Sequence, residues 1–157
     1  MNNRDPEIHA LLLGGRMDKA RLLAEKKYGL KAGFRFVPGA PQIGETLPHS
    51  NVHVGDTFVT SEKQDGASVF HNWSDAEAYA GYCMLHPDFP PISVSIVLVV
   101  GKLVRPKGHK MRRERVLASP RVVAVVKGVE ELSDWFSALS ALCSHVQADP
   151  QGYWTRS

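Results

Sequence analysis

The chain is poor in cysteine and contains no long apolar run. Its two cysteines, Cys83 and Cys143, both fall on the apolar faces of predicted helices. We expect buried free thiols rather than a disulfide, because such cysteines behave as small hydrophobic residues, and free thiols fit a reducing compartment. No apolar run approaches the ~20 residues that a membrane helix needs, and the N-terminal residues do not resemble a signal peptide. The sequence therefore predicts a cytoplasmic protein with no membrane partner.

Spacings typical of a metal site are also scarce. His49 and His53 stand four residues apart, and Cys83 and His86 stand three apart, with His71 between the two pairs. These short spacings fall on different predicted elements and do not form a signature such as two CxxC motifs. We expect no metal site, and an ordinary structural or surface role for these side chains.

The composition is otherwise that of a soluble globular domain. The chain has 157 residues, of which 43% are hydrophobic and 22% charged, and such a length favours one domain with a self-sufficient core. Its net charge of +3 is uneven. Residues 102–116, KLVRPKGHKMRRERV, hold seven of the 19 basic residues and one of the 16 acidic residues. The chain thus carries one strongly basic segment on a mildly acidic body.

Hydrophobic periodicity and turn residues predict an α+β fold. We expect a mostly antiparallel, twisted sheet of five to six strands, with helices at the N-terminus, in the middle and at the C-terminus. The single domain, residues 1–157, divides into a helical cap (1–30), a sheet core (34–128) and a C-terminal helix (129–147). Strands are predicted at 34–37, 52–61 (interrupted by a turn), 68–71, 93–104 and 116–126, the last with Pro120 at an edge, bulge or break.

The clearest strand-to-helix transition lies in residues 68–84, SVFHNWSDAEAYAGYCM. Ser74 and Glu77 have the spacing of a capping box, which predicts that the helix opens at Ser74. Its apolar face would consist of Ala76, Tyr79, Ala80, Cys83 and Met84.

Several short motifs occur in a familiar order in residues 47–126, about half of the chain. They are Leu47-Pro48-His49, Val54-Gly55-Asp56, Val69-Phe70, the helix at 75–81, the apolar run at 96–100 and the strand at 119–125. In this order the chain resembles small bacterial ADP-ribosyltransferases, especially the rifampin-modifying kind. The resemblance implies a protein that binds NAD in a cleft and transfers ADP-ribose to a macromolecular target.

The resemblance also implies roles for particular residues. His49 would be catalytic and would bind NAD, while Phe70 and Tyr79 would line the site of the nicotinamide and its ribose. Phe70 stands where the family has a tyrosine, so it can stack but has no hydroxyl with which to orient a ribose. Arg35 is similar to the first-strand arginine of another branch of these transferases.

The acidic residue that should support the oxocarbenium-like centre has no clear match. Glu114 is the one carboxylate of the basic segment, and pairing with a neighbouring arginine would explain it. Glu130 and Glu131 are alternatives if the last helix reaches the cleft.

The basic segment supports a second hypothesis, a non-enzymatic module that binds nucleic acid or protein. Lys107, Lys110, Arg112 and Arg113 would contact a phosphate-bearing or acidic macromolecule, or the pyrophosphate of NAD, with an affinity that falls as salt rises. Because the segment has no aromatic side chains to stack on bases, we expect contacts to the nucleic-acid backbone without sequence specificity. The target and the oligomeric state cannot be read from the sequence.

Overall fold

The computed structural model describes residues 4–48, 66–89, 91–104 and 114–146. These ranges contain the helices α1 (Pro6–Leu13), α2 (Met17–Tyr28), α3 (Trp73–Leu85) and α4 (Val129–Val146), and the strands β1 (Lys31–Pro38), β2 (Ala67–Phe70), β3 (Val94–Val104) and β4 (Glu114–Lys127). The α+β class and the positions of the helices are confirmed. The described ranges contain four strands, so the prediction of five to six is not confirmed, and the strands predicted at 52–61 lie outside the described residues.

The strands form a closed barrel in the order β1-β2-β4-β3, and every pair is antiparallel. β1 pairs with β3 along its whole length, from Lys31 to Pro38. β2 pairs with β4 over four residues, but with β1 only where Phe34 lies opposite Phe70. The barrel is therefore closed by a short seam between β1 and β2.

Two apolar clusters occupy opposite faces of this sheet, because successive side chains of a strand point to opposite sides. Phe34 and Phe36 of β1 belong to the large cluster, which the helices cover. Val37 belongs to a smaller cluster built from β-branched and leucine side chains of all four strands. A closed barrel of few strands is filled by such side chains, so the smaller cluster forms its interior.

The N-terminal helices follow the predicted boundaries. Asp5 caps α1, accepting hydrogen bonds from the backbone nitrogens of Glu7 (2.9 Å) and Ile8 (3.0 Å). Helix α2 ends at Gly29, whose φ of 66° lies in the left-handed region that glycine adopts without strain. Lys27 then joins the two helices, with its Nζ 2.9 Å from an Asp5 carboxylate oxygen.

Helix α3 does not begin as the sequence pattern predicts. It begins at Trp73 with Asn72 as N-cap, and Asn72 makes no side-chain cap bond. The predicted capping box of Ser74 and Glu77 is therefore wrong, because Ser74 already lies inside the first turn. Instead, the backbone N–H of Trp73 donates to Asp18 of α2 at 2.9 Å, a partner 55 residues away that the local sequence cannot reveal.

Strand β4 continues through Pro120, where the sequence predicts an edge, a bulge or a break. Its register against β3 shifts there, with Val100 opposite Arg121 and Lys102 opposite Ala118. Ser119 has a φ of 45°, and the carbonyl of Pro120 accepts a hydrogen bond from Leu47 at 2.8 Å. The proline is thus accommodated by a β-bulge.

The seam between β1 and β2 depends on Gly33. A Cβ at this position would lie 2.3 Å from Cγ2 of Val69 and 2.9 Å from the carbonyl oxygen of Phe70. We expect Gly33→Ala to lower the free energy of unfolding by about 1–3 kcal/mol, the usual cost of overpacking. Urea unfolding measures the change. Gly128→Ala is the control, since its Cβ would meet nothing closer than 3.6 Å; equal losses in both variants would contradict the close approach.

Candidate functional site

The structure brings together two of the residues that the resemblance assigns to NAD. Phe70 ends β2 and Tyr79 lies on α3, with their ring centroids 5.0 Å apart. Phe36 of β1 contacts the same tyrosine edge-on, at 6.1 Å and 81°. The predicted site residues His49, Lys107, Lys110, Arg112 and Arg113 lie outside the described residues.

Arg35 lies beside this aromatic pair, at the seam of the barrel. Its side chain is buried, and its Nη1 donates to the carbonyl of Ser68 in β2 at 2.6 Å. Burial lowers the pKa of Arg35 to about 10, against the opposing influence of Tyr79 and Glu114. The guanidinium is therefore still protonated at neutral pH and places a positive charge inside the protein.

Glu114 supplies a carboxylate at the same place. It lies opposite Phe70 in the β2–β4 ladder and is partly buried. Burial raises the pKa of Glu114, and the positive charge of Arg35 acts in the opposite direction. The expected pairing with an adjacent arginine is wrong for Arg115, which contacts Glu25 instead. Glu114 and Arg115 are neighbours in a strand and therefore face opposite sides.

These side chains line a very small cavity. Arg35, Phe36, Ser68, Phe70, Tyr79 and Glu114 surround it. Its volume is about 10 Å³, close to the space that one water molecule requires. A dinucleotide does not fit in this cavity unless the side chains separate.

The groups around the cavity differ in their protonation. Burial raises the pKa of Tyr79, so its hydroxyl keeps its proton and remains a hydrogen-bond donor. Burial also raises the pKa of the neighbouring Cys83 to about 12, partly offset by a hydrogen bond with Tyr79. Cys83 is a buried free thiol, as predicted. A thiol in this state is a poor nucleophile, so the chemistry of the site would depend on Glu114 and Arg35.

A second polar cluster attaches α2 to the barrel. One carboxylate oxygen of Glu25 accepts hydrogen bonds from Arg115 (2.7 Å), from Arg21 (3.1 Å) and from the backbone N–H of Ala32 (3.0 Å). Burial raises the pKa of Glu25, but these three partners outweigh it and lower the pKa overall. Nη2 of Arg115 also contacts Nδ1 of His71. The cluster links one helix to β1, β4 and the residue after β2.

A third feature lies at the base of the basic segment. Lys31 and Lys102 border an open hollow of about 300 Å³, together with Glu25, Leu30 and Leu103. The strands β1 and β3 pair here, with Lys31 opposite Gly101. Two lysines therefore stand at one end of residues 102–116, although Glu25 contributes a negative charge to the same hollow.

Three further expectations from the sequence concern a metal site, a membrane span and the alternative acidic residues. In the described ranges no group of three or more His, Cys, Asp or Glu side chains is arranged to hold a metal ion. None of the helices there combines the length and the apolar character needed to cross a bilayer. Glu130 and Glu131 lie in the first turn of α4 and do not line the cavity at Tyr79. Glu131 accepts a hydrogen bond from the backbone N–H of Gly128 at 3.3 Å.

Comparison with protein-family models, with curated proteins and with solved structures finds no match for this chain.

The surroundings of His71 predict that stability depends on pH. Burial and the charges of Arg115 and Arg21 lower the pKa of His71. Because the unfolded chain then binds a proton more readily, the contribution of His71 is present above about pH 6.5 and is lost as pH falls below it. We expect His71→Asn to flatten the dependence of the unfolding free energy on pH between about 7.5 and 5.5, as measured by urea unfolding. His9→Asn should retain it; identical curves for both variants would refute the assignment.

Proposed function

We propose that the protein is an ADP-ribosyltransferase-like domain that binds NAD as a substrate and transfers ADP-ribose to a macromolecular target. The order of motifs in residues 47–126 supports the class. The main observation behind the proposal is that one cavity is lined by Phe70, Tyr79, Arg35 and Glu114. An aromatic pair, a cation and a carboxylate are the groups that such a reaction needs.

Each group has a distinct role in this proposal. Phe70 and Tyr79 stack against the nicotinamide, and the hydroxyl of Tyr79 supplies the hydrogen bond that Phe70 cannot. The reaction breaks the bond between ribose C1′ and the nicotinamide nitrogen, and nicotinamide leaves with the electron pair. A nucleophile of the target then bonds to C1′ and loses its proton. Glu114 stabilises the positive charge that develops on the ribose, and Arg35 helps to keep that carboxylate ionised.

The size of the cavity sets a condition on this function. At about 10 Å³ it is far below the range of roughly 300–1,000 Å³ that ligand sites occupy. Binding of NAD therefore requires Phe70 and Tyr79 to move apart, and the seam between β1 and β2 is the place where the barrel is least paired.

Replacing the carboxylate tests the enzyme hypothesis. With labelled NAD and cell extract, we expect wild-type protein to transfer label and Glu114→Gln to lose about 100-fold or more, because a preorganised charge at the developing cation is removed. Because burial raises the pKa of Glu114, transfer by the wild type should fall as pH is lowered, beginning above the ordinary glutamate range.

Glu130→Gln is the matched control, since Glu130 is exposed at the start of α4. It should retain full transfer, and both variants should bind NAD within a few-fold of wild type. Wild-type protein that neither binds NAD nor transfers label would exclude the enzyme hypothesis. Loss of transfer in Glu130→Gln with retention in Glu114→Gln would assign the acid to α4.

A second candidate function is a non-enzymatic module that binds nucleic acid or an acidic protein through residues 102–116. The observation that favours it is the pair of lysines, Lys31 and Lys102, at the open hollow beside this segment. The positive surface would then extend from the segment to Lys31 at the start of β1. Binding of this kind neutralises phosphates and weakens steeply with salt.

A triple substitution distinguishes this candidate. We expect Lys110→Ala/Arg112→Ala/Arg113→Ala to abolish binding of duplex DNA or RNA at low salt, and to reduce the salt slope by about 0.9 for each phosphate that is no longer neutralised. Fluorescence anisotropy measures both. The control Arg16→Ala/Lys19→Ala/Lys26→Ala removes the same charge from exposed positions of α2 and its N-cap and should bind nearly as wild type. Equal weakening in the two variants would indicate a general charge effect.

A further inference from the structure

A larger cavity lies between the end of α3 and the first half of α4. Its volume is about 340 Å³. Most of its walls are apolar, formed by Met84, Phe89, Ile92, Val94, Val129 and Phe136. Three polar residues, His86, Ser93 and Ser133, complete the lining together with Pro91. We refer to it as the α3–α4 cavity.

We propose that the α3–α4 cavity binds a small, uncharged aromatic molecule with one or two polar atoms. The site has no lining residue in common with the small cavity beside Tyr79, so the inference goes beyond the proposed function and does not depend on it. Its size, its charge and its hydrogen-bonding groups each limit the ligand.

The volume favours a molecule of two fused rings. Ligand sites in proteins occupy roughly 300–1,000 Å³ and are lined mainly by hydrophobic and aromatic side chains, with few polar groups. The α3–α4 cavity meets both criteria at the lower end of the size range. A cavity of about 150 Å³ is known to hold benzene, so a bicyclic molecule fits here and a dinucleotide does not.

The lining residues also favour an uncharged ligand over a charged one. The described residues that line the cavity include no Asp, Glu, Lys or Arg, and burying an ion without a partner is costly. The carboxylate of Asp88 lies 4.0 Å from Nδ1 of His86, but its side chain is mostly exposed and does not line the cavity.

The polar groups of the cavity determine which hydrogen-bonding atoms the ligand needs. Nδ1 of His86 accepts a hydrogen bond from the backbone N–H of Asp88 at 3.1 Å. In a neutral ring this places the proton on Nε2, which remains a donor. The hydroxyls of Ser93 and Ser133 can donate or accept. A ring N–H or a phenolic hydroxyl has partners here, whereas a pure hydrocarbon would leave three polar groups unused.

The cavity is open enough for a ligand to enter. Ile92 is 43% exposed, and Pro91, Ser93 and Ser133 are exposed as well. Met84 and Phe136 are half-buried, and methionine adapts readily to the shape of a bound ring. Apolar side chains thus form an accessible concave surface rather than a sealed gap in the core.

Methyl NMR on the full chain tests the proposal, because Met84 lines the cavity and Met17 lies on α2. With ¹³C-labelled methionine methyls and indole as the probe, we expect a saturable shift of Met84, with a Kd of about 1 mM or tighter. The Met17 signal should not move. Indole-3-carboxylate, which has the same rings and a charge, should bind at least about 10-fold more weakly.

Matched substitutions on α4 test whether indole binds inside the α3–α4 cavity. Ser133→Phe fills the cavity and should weaken indole binding at least about 10-fold, while Ala138→Phe, at an exposed position outside the lining, should leave it unchanged. Circular dichroism checks that both variants fold, and Ile92→Trp replaces Ser133→Phe if that variant does not. The proposal is overturned if Met84 does not respond, if Met17 shifts equally, if the filled variant still binds, or if the charged analogue binds as well.

Discussion

The closure of the barrel between β1 and β2 is the constraint on which the rest of the structure depends. Phe34 opposite Phe70 is the one pair of Cα partners that the described strands form at this seam. Gly33 permits the approach, and Arg35 adds a hydrogen bond to the β2 backbone where the ladder ends. This closure holds Phe70 beside Tyr79, and it leaves a buried cation that a nearby carboxylate, that of Glu114, offsets.

The helices are attached to the barrel by two different kinds of contact. Small side chains such as Ala20, Ala24, Ala76 and Ala80 are fully or almost fully buried, which lets α2 and α3 pack closely on the sheet. The charge cluster around Glu25 adds directional bonds from α2 to the strands. A buried carboxylate is costly once its partners are lost, so displacing α2 would have to break the hydrogen bonds from Arg115 and Ala32 to Glu25.

Local patterns in the sequence predict most of the helices and strands, whereas the site depends on distant pairing. Pro6 and Gly29 mark helix ends through their own backbone preferences, and these boundaries agree with the structure. The predicted cap of α3 is wrong because Asp18, a residue remote in sequence, binds the first backbone N–H of the helix. The position of Glu114 beside Arg35 follows from the registers of two strand pairs, β1–β2 and β2–β4, which no local pattern encodes. Pro120 is a similar case, because the proline predicts an irregularity in β4 but does not predict that the irregularity is a β-bulge.

The short seam between β1 and β2 is where the sheet should open most readily. β3 and β4 are separated by nine residues and share a long ladder, whereas Arg35 and Ser68 are 33 residues apart. Pairing between near neighbours costs less chain entropy than closing a long loop. The β3–β4 hairpin is therefore the natural first unit to form, while the β1–β2 seam, with one pair of Cα partners, is held by the least pairing. In native-state hydrogen exchange, the amides of β2 should belong to the least protected cooperative unit of the sheet, because this four-residue strand pairs with β1 at one position only.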